Sequence, residues 1–350
     1  MSNIRKEKKA MNKSKIEWCD HTYNPITGCR HGCHYCYAKT MADRFSGNVR
    51  KNKMAKDNYT VLRSADGKCD LYILDEPMKN ETGSQLVYPF GFEPTLHRYR
   101  FANLDKLKNG NNIFVGAMAD VFGDWVPDEW IDEVIRECEK RPQHNYLFLT
   151  KNPQRYQRYE LPKGNDNMWF GTSITTAADM HRIDYLPAGC KTFLSIEPLI
   201  EDIEPETCDA LGRDVDWVII GAETGRRKGK ILPTREWITR IVLVADAAGI
   251  PVFMKDSLIE IVGEENMRRE FPEELTRKVL SEKLEDKLFD SCCICKQDVK
   301  KSDAIKILAK QKRTESAKLA CHMCVTCFEN TCGQWEIEIP DLEYRREKQK

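Results

Sequence analysis

Three thiols stand within eight residues near the start of the chain, in Thr27-Gly28-Cys29-Arg30-His31-Gly32-Cys33-His34-Tyr35-Cys36. Gly28 and Gly32 let this segment fold tightly. Three thiolates so close can hold three corners of an iron–sulfur cube, leaving a fourth iron open to a small ligand. His31 and His34 offer a competing reading, a zinc site of mixed thiolates and imidazoles, although each lies within two residues of a cysteine and would strain a tetrahedron. Unligated surface cysteines are the plainest alternative. A second group lies near the end of the chain. Cys292-x-x-Cys295 and Cys324-x-x-Cys327 form the paired arrangement of a structural four-cysteine zinc module, with Cys293, Cys321 and Cys332 as alternates. Cys321-x-x-Cys324-x-x-Cys327 also resembles an iron–sulfur run. This group is therefore expected to hold Zn2+ or a second, auxiliary cluster. Cys19, Cys69, Cys138, Cys190 and Cys208 are scattered and read as small buried hydrophobes.

The 350 residues and 15 cysteines set the frame for these groups. The length suits one large or two ordinary domains. Lys and Arg total 55 against 55 Asp and Glu, which removes any global argument for a nucleic-acid or membrane partner. No run approaches the roughly 18 apolar residues of a membrane helix. The basic start, Met1 to Lys9, leads into no hydrophobic segment, so a cytoplasmic setting with reduced thiols is expected. The neutral total hides an asymmetry. Residues 291–328 carry eight Lys and Arg against three acids, with the Lys-rich stretch between the cysteines expected to be helix-like, so a basic metal-stapled module there could contact a nucleic acid. The preceding stretch, Glu260 to Asp290, is acidic and expected to be helical.

Between the cysteine groups, short apolar runs alternate with longer amphipathic stretches. The runs are Lys15–Trp18, Ile113–Met118, Tyr146–Thr150, Met168–Ile174, Thr192–Ile196, Trp217–Gly221 and Pro251–Met254. Their near-continuous apolarity suits strands covered on both faces. Helical spacing spans Asp128 to Arg141 and Thr234 to Ala248, the latter stopped by Gly249. Strand and helix repeated in this way predict an α/β fold with a parallel sheet, and no glycine fingerprint marks a dinucleotide crevice. A complete or partial (β/α) barrel follows. In a barrel, chemistry sits at the carboxyl ends of strands. Asp120, Lys151, Thr172, Ser173, Glu197, Glu223 and Lys255 stand there. The expected organisation is a basic tail over 1–12, a barrel over 13–288 with a loop-rich insertion over 50–111, a Cys-rich metal module over 289–335 and a charged tail over 336–350.

Cys29-x-x-x-Cys33-x-x-Cys36, with Tyr35 just before the third cysteine, resembles the radical S-adenosylmethionine (SAM) superfamily. The wider chain resembles a phage and bacterial radical-SAM-like family of unknown function, through Lys15-Ile16-Glu17-Trp18 and Asn24-Pro25-Ile26-Thr27-Gly28-Cys29. Segments around Asp120, Lys151, Glu197 and Glu223 strengthen that likeness over residues 13 to 258.

The resemblance implies a partial (β/α)6-type barrel that binds a [4Fe–4S] cluster through Cys29, Cys33 and Cys36. SAM would chelate the open iron through its amino and carboxylate groups. One-electron reduction, from a flavodoxin- or ferredoxin-like donor, would then yield a 5′-deoxyadenosyl radical that abstracts hydrogen from a substrate. Tyr35 would lie near the adenine. Ala117 and Met118 stand where the superfamily commonly has a Gly-Gly-Glu stretch, so Asp120 is the nearest acid for the SAM amino group. Ser173, Glu197 and Glu223 are candidates for ribose or methionine contacts. A nucleic acid would suit the basic module as substrate. The competing class is a non-catalytic iron–sulfur or zinc module that binds nucleic acid or a partner protein.

Overall fold

A computed structural model describes residues 13–107, 110–159, 161, 167–203, 215–280, 289–300, 305–310, 317–323 and 326–327. They fall into two compact units divided between Arg277 and Lys278. In the first unit, β1 (His21–Tyr23) and β2 (Ile26–Thr27) precede the cysteine loop. Helices α1 (Tyr37–Arg44) and α2 (Val49–Met54) follow it. Next come β3 (Thr60–Arg63), β4 (Asp70–Leu74) and β5 (Thr95–His97). Then β6 (Asn112–Val115), β7 (Asn145–Thr150) and β8 (Met168–Ser173) alternate with α3 (Asp128–Glu139) and α4 (Gln154–Arg158). The unit continues with β9 (Lys191–Ile196), β10 (Val218–Ile220), α5 (Arg235–Ala247) and β11 (Val252–Met254).

Seven strands form one sheet in the order β1-β6-β7-β8-β9-β10-β11, parallel at every pairing. This is the expected partial barrel. Its strands read as continuous apolar runs because both faces are buried. Phe114, Leu147, Trp169, Phe193, Ile219 and Phe253 share one apolar cluster, and the alternate residues Ile113, Phe148, Phe170, Leu194, Val218 and Val252 join Trp130, Val134, Ile238 and Ile241 of α3 and α5 in another. The period-two alternation of a strand thus separates an inner aromatic layer from an outer helical one. Asn112 and Asn145 donate to the carbonyls of Leu275 and Glu274 at 2.9 and 2.8 Å, and Trp217 Nε1 donates to Glu270 O at 2.9 Å. The chain after β11 therefore closes the amino ends of the strands and leaves the carboxyl ends open.

Four expectations change. Lys15–Trp18 is not a strand but an irregular turn, and its Trp18 enters the inner layer, 4.7 Å from the Phe114 ring. The insertion is more than loop: β3, β4 and β5 join β2 in a sheet ordered β2-β5-β4-β3, with Tyr72, Leu74, Met78 and Phe90 as its own core. Of the expected helix over Glu260 to Asp290, a single turn over Ile259–Val262 ends at Gly263, which adopts φ 84°, the chain runs irregularly past Pro272, and helix resumes at residues 277–280, while 281–288 lie outside the described residues. In the second unit, the described part of the Lys-rich stretch between the cysteines is strand rather than the expected helix. It supplies an antiparallel hairpin of β14 (Ile305–Lys310) and β15 (Ala317–Met323), beside a shorter pair, β12 (Phe289–Ser291) and β13 (Asp298–Lys300). Ile305-Lys306-Ile307 already alternates with a period of two. Among the described residues no helix is long and apolar enough to cross a membrane.

Candidate active site

The cysteine loop joins β2 to α1 and is fixed at both ends. At its entry Gly28 adopts φ 88°, and a Cβ there would lie 2.3 Å from the Glu93 carbonyl, so only glycine fits. Gly28 N donates to Met118 O at 2.9 Å, while Met118 N donates to Asn24 Oδ1 at 3.0 Å. Thr27 Oγ1 pairs with buried His97 Nε2 at 2.8 Å. At its exit Cys36 is the N-cap of α1, and its sulfur accepts from Lys39 N at 3.4 Å.

Cys29, Cys33, Cys36, Tyr35, Ala117, Asp120, Ser173, Glu197 and Glu223 all line one cavity of about 290 Å3 at the carboxyl ends of the strands. Met118 does not line it; this residue holds the cysteine loop through its backbone. A second cavity of about 430 Å3 lies along the loop, bounded by the same three cysteines together with Lys39, Lys53 and Glu93.

Cys29, Cys33 and Cys36 could each take one iron of a cube. Among the described residues, the ligand atoms of Cys292, Cys295 and Cys327 lie within 4.8 Å of one another, an approach that suits a single ion. Burial pushes the Cys29 thiol up to about 12, and Asp120, Cys33 and Cys36 add to that rise. A bound cation would favour the thiolate there by offsetting its charge. His31 is engaged elsewhere, with Nε2 2.7 Å from Asp120 Oδ2. His34 packs edge-on against Tyr35.

The strand-end polar groups form three clasps. Asp120 is 4% exposed and accepts from Phe122 N at 3.0 Å and Lys151 N at 2.9 Å as well as facing His31. Burial alone would raise its carboxyl, but these hydrogen bonds and the His31 charge hold it below the ordinary range. Lys151 Nζ donates to Tyr35 OH at 3.0 Å. Lys255 pairs with Glu197 and lies 3.8 Å from Glu17 Oε2, while Asp256 N donates to Glu17 Oε1 at 3.0 Å. Arg227 holds Glu223 through two bonds, which keeps that carboxyl below its usual range. Sequence reasoning reached the acids but missed three partners, Glu17, Arg227 and the His31 imidazole. Glu17 had a signal, since it sits in the opening Lys15–Trp18 motif. Arg227 had one too, four residues after Glu223.

In the second unit Cys292 and Cys295 meet Cys327; Cys293 stands outside that group. Cys324, Cys332 and the Cys321 side chain lie outside the described residues. Cys19, Cys69 and Cys138 are buried as packing residues, Cys190 is half-buried, and Cys208 lies outside the described residues.

No curated protein matches the chain. Solved structures with a similar course include spore photoproduct lyase complexed with dinucleoside spore photoproduct, at 13% identity and a TM-score of 0.41, covering 72% of this chain and 81% of that one. A double mutant of the same lyase, with bound AdoMet and dinucleoside spore photoproduct, gives 12% and 0.41, with 71% and 79% covered. The model of the family described as "Protein of unknown function (DUF5131)" matches residues 13–291, well over half of the sequence, and the chain belongs to that family.

Proposed function

We propose that the chain is a radical SAM enzyme whose [4Fe–4S] cluster is held by Cys29, Cys33 and Cys36. The observation that carries this reading is the convergence of three thiols in Cys-x-x-x-Cys-x-x-Cys spacing on one cavity at the carboxyl ends of a parallel partial barrel. The bound cofactors would supply reductive cleavage of SAM to methionine and a 5′-deoxyadenosyl radical, for hydrogen abstraction from a substrate. The chain's own residues hold and exclude. Asp120 ties His31, and with it the cysteine loop, to the ends of β6 and β7. Lys151 fixes the Tyr35 ring beside the third thiol. Glu197 and Glu223, each oriented by a cation, keep free lone pairs for the hydroxyl or ammonium groups of SAM, and Ser173 lines the same cavity. Ile16, Phe114 and Leu149 line the same cavity and keep water from its floor. A flavodoxin- or ferredoxin-like donor would supply the electron. In the second unit, Cys292, Cys295 and Cys327 support a single zinc, with Cys324 as the fourth ligand by spacing.

Anaerobic reconstitution should load about four iron and four sulfide at the first site, and reduced protein with SAM should release 5′-deoxyadenosine. Cys33→Ala should abolish both. Iron content unchanged in a Cys29→Ala, Cys33→Ala, Cys36→Ala variant would overturn the reading. A loaded cluster that releases no 5′-deoxyadenosine would favour a non-catalytic binding module instead.

A further inference from the structure

The rim of the cavity carries charge that SAM cleavage does not use. Glu223 and Thr224 line the cavity, and the chain then runs Gly225-Arg226-Arg227-Lys228-Gly229-Lys230-Ile231-Leu232, with four cations and no acid. Arg227 is committed to Glu223, at 2.5 Å through Nε and 2.7 Å through Nη2, so the root of this loop is fixed to the cavity wall. Arg226, Lys228 and Lys230 are exposed. Arg226 and Lys228 have no carboxylate partner among the described residues, and Lys230 Nζ donates to Gly225 O at 3.4 Å. From another wall, Tyr37 lines the cavity while remaining 56% exposed, and its hydroxyl donates to Ala117 O at 2.7 Å. It begins an exposed apolar stripe along α1 and its C-cap, Tyr37, Met41 and Phe45, spaced by four residues. The Arg44 guanidinium lies 5.3 Å from the Phe45 ring centre.

Resting on the reading of this cavity as a radical SAM site, we propose that the Gly225–Leu232 loop binds the phosphate backbone of a single-stranded nucleic acid, with Tyr37 and Phe45 offering rings to its bases. Unpaired cations on a glycine-flanked loop suit phosphates. Exposed rings that start at the same cavity with Tyr37 suit base stacking, which a purely acidic protein partner would leave unused.

Fluorescence anisotropy of the full-length protein with short labelled single strands, DNA in one arm and RNA in the other, tests this across a salt series. The wild type should bind at least one of them. Arg226→Ala, Lys228→Ala, Lys230→Ala together should weaken binding roughly tenfold or more and lower the logarithmic salt slope by about 2, from three contacts at about 0.7 each. The charge-preserving set Arg226→Lys, Lys228→Arg, Lys230→Arg should retain binding. Phe45→Ala should weaken it about tenfold with the slope unchanged. Wild-type affinity and slope in the triple alanine variant, or no binding in either arm, would overturn the proposal. Release of 5′-deoxyadenosine without strand binding would sink the loop and leave the cofactor reading intact. Binding that the triple variant removes, without 5′-deoxyadenosine release, would do the reverse.

Discussion

Asp120 shows how a side chain can be found from sequence while its partners are not. Its place after Ala117-Met118-Ala119 marks it as a strand-end acid, and the structure puts it on the cavity wall. What the sequence does not display is that His31, 89 residues earlier, faces it at 2.7 Å, or that Lys151 N reaches it from the next strand. Those contacts depend on the curl of the sheet, and neither residue's neighbours encode that. With one backbone N–H on each oxygen, Asp120 braces the cysteine loop against β6 and β7. Removing a buried acceptor leaves its donors unsatisfied, at about 1–3 kcal/mol. Asp120→Ala should therefore lower unfolding stability by about that much in denaturant titration and reduce iron retained after reconstitution. Asp120→Asn, which keeps one acceptor oxygen, should lose less of both. Wild-type stability and iron loading in the alanine variant would remove this bracing role.

At the scale of elements, the parallel strands were legible because burial on both faces forces long apolar runs, as in Tyr146-Leu147-Phe148-Leu149. The smaller sheet was not. β3 is exposed at all four residues, so it shows no alternation, and β5 is three residues long. β2 pairs with β5 across 70 positions, Ile26 opposite Leu96. Lys15–Trp18 misled in the opposite direction, since Ile16 and Trp18 alternate like a strand yet serve as a plug. Trp18 is 2% exposed and packs on Phe114, Phe193 and Trp217. Trp18→Ala should cost about 3–5 kcal/mol, read as a shift of the denaturant midpoint. The small sheet also carries a pH dependence. Burial, and then the Arg100 charge, hold His97 well below its ordinary value while it bonds Thr27 at the foot of the cysteine loop. The unfolded chain takes up a proton near pH 6.5 that the folded chain refuses, so stability is present above that pH and falls below it, by up to about 1.4 kcal/mol per pH unit. Comparing midpoints at neutral and mildly acidic pH should show this loss. His97→Gln should flatten it, and an equally steep profile in that variant would assign the dependence elsewhere.

For the whole molecule, the balance of 55 cations and 55 acids conceals two basic regions with different settings. One is the rim loop on the barrel, whose four cations lie within five residues. The other is the Lys-rich hairpin of the second unit, where Lys306 alternates with Ile305 and Ile307. The two cysteine groups differ just as clearly in geometry. Cys29, Cys33 and Cys36 lie on a loop pinned at its entry by Gly28 and at its exit by the cap of α1, while Cys292, Cys295 and Cys327 converge within 4.8 Å in a unit of short hairpins. On the proposed zinc reading, the second unit, which has few buried apolar side chains among its described residues, would depend on the metal for folding, because the ligands must be deprotonated and gathered at the same time. The sites should therefore separate chemically in the full-length chain. The Cys29→Ala, Cys33→Ala, Cys36→Ala variant should lose its iron and keep about one zinc per chain, while Cys295→Ser should release the zinc and leave the iron in place. A zinc-selective chelator should melt the second unit alone, so that hydrogen exchange quickens across Phe289–Met323 while the strands of the barrel stay protected. Zinc that survives Cys295→Ser, or barrel strands that exchange in step with the hairpins, would show that the metal does not stabilise the second unit in this way.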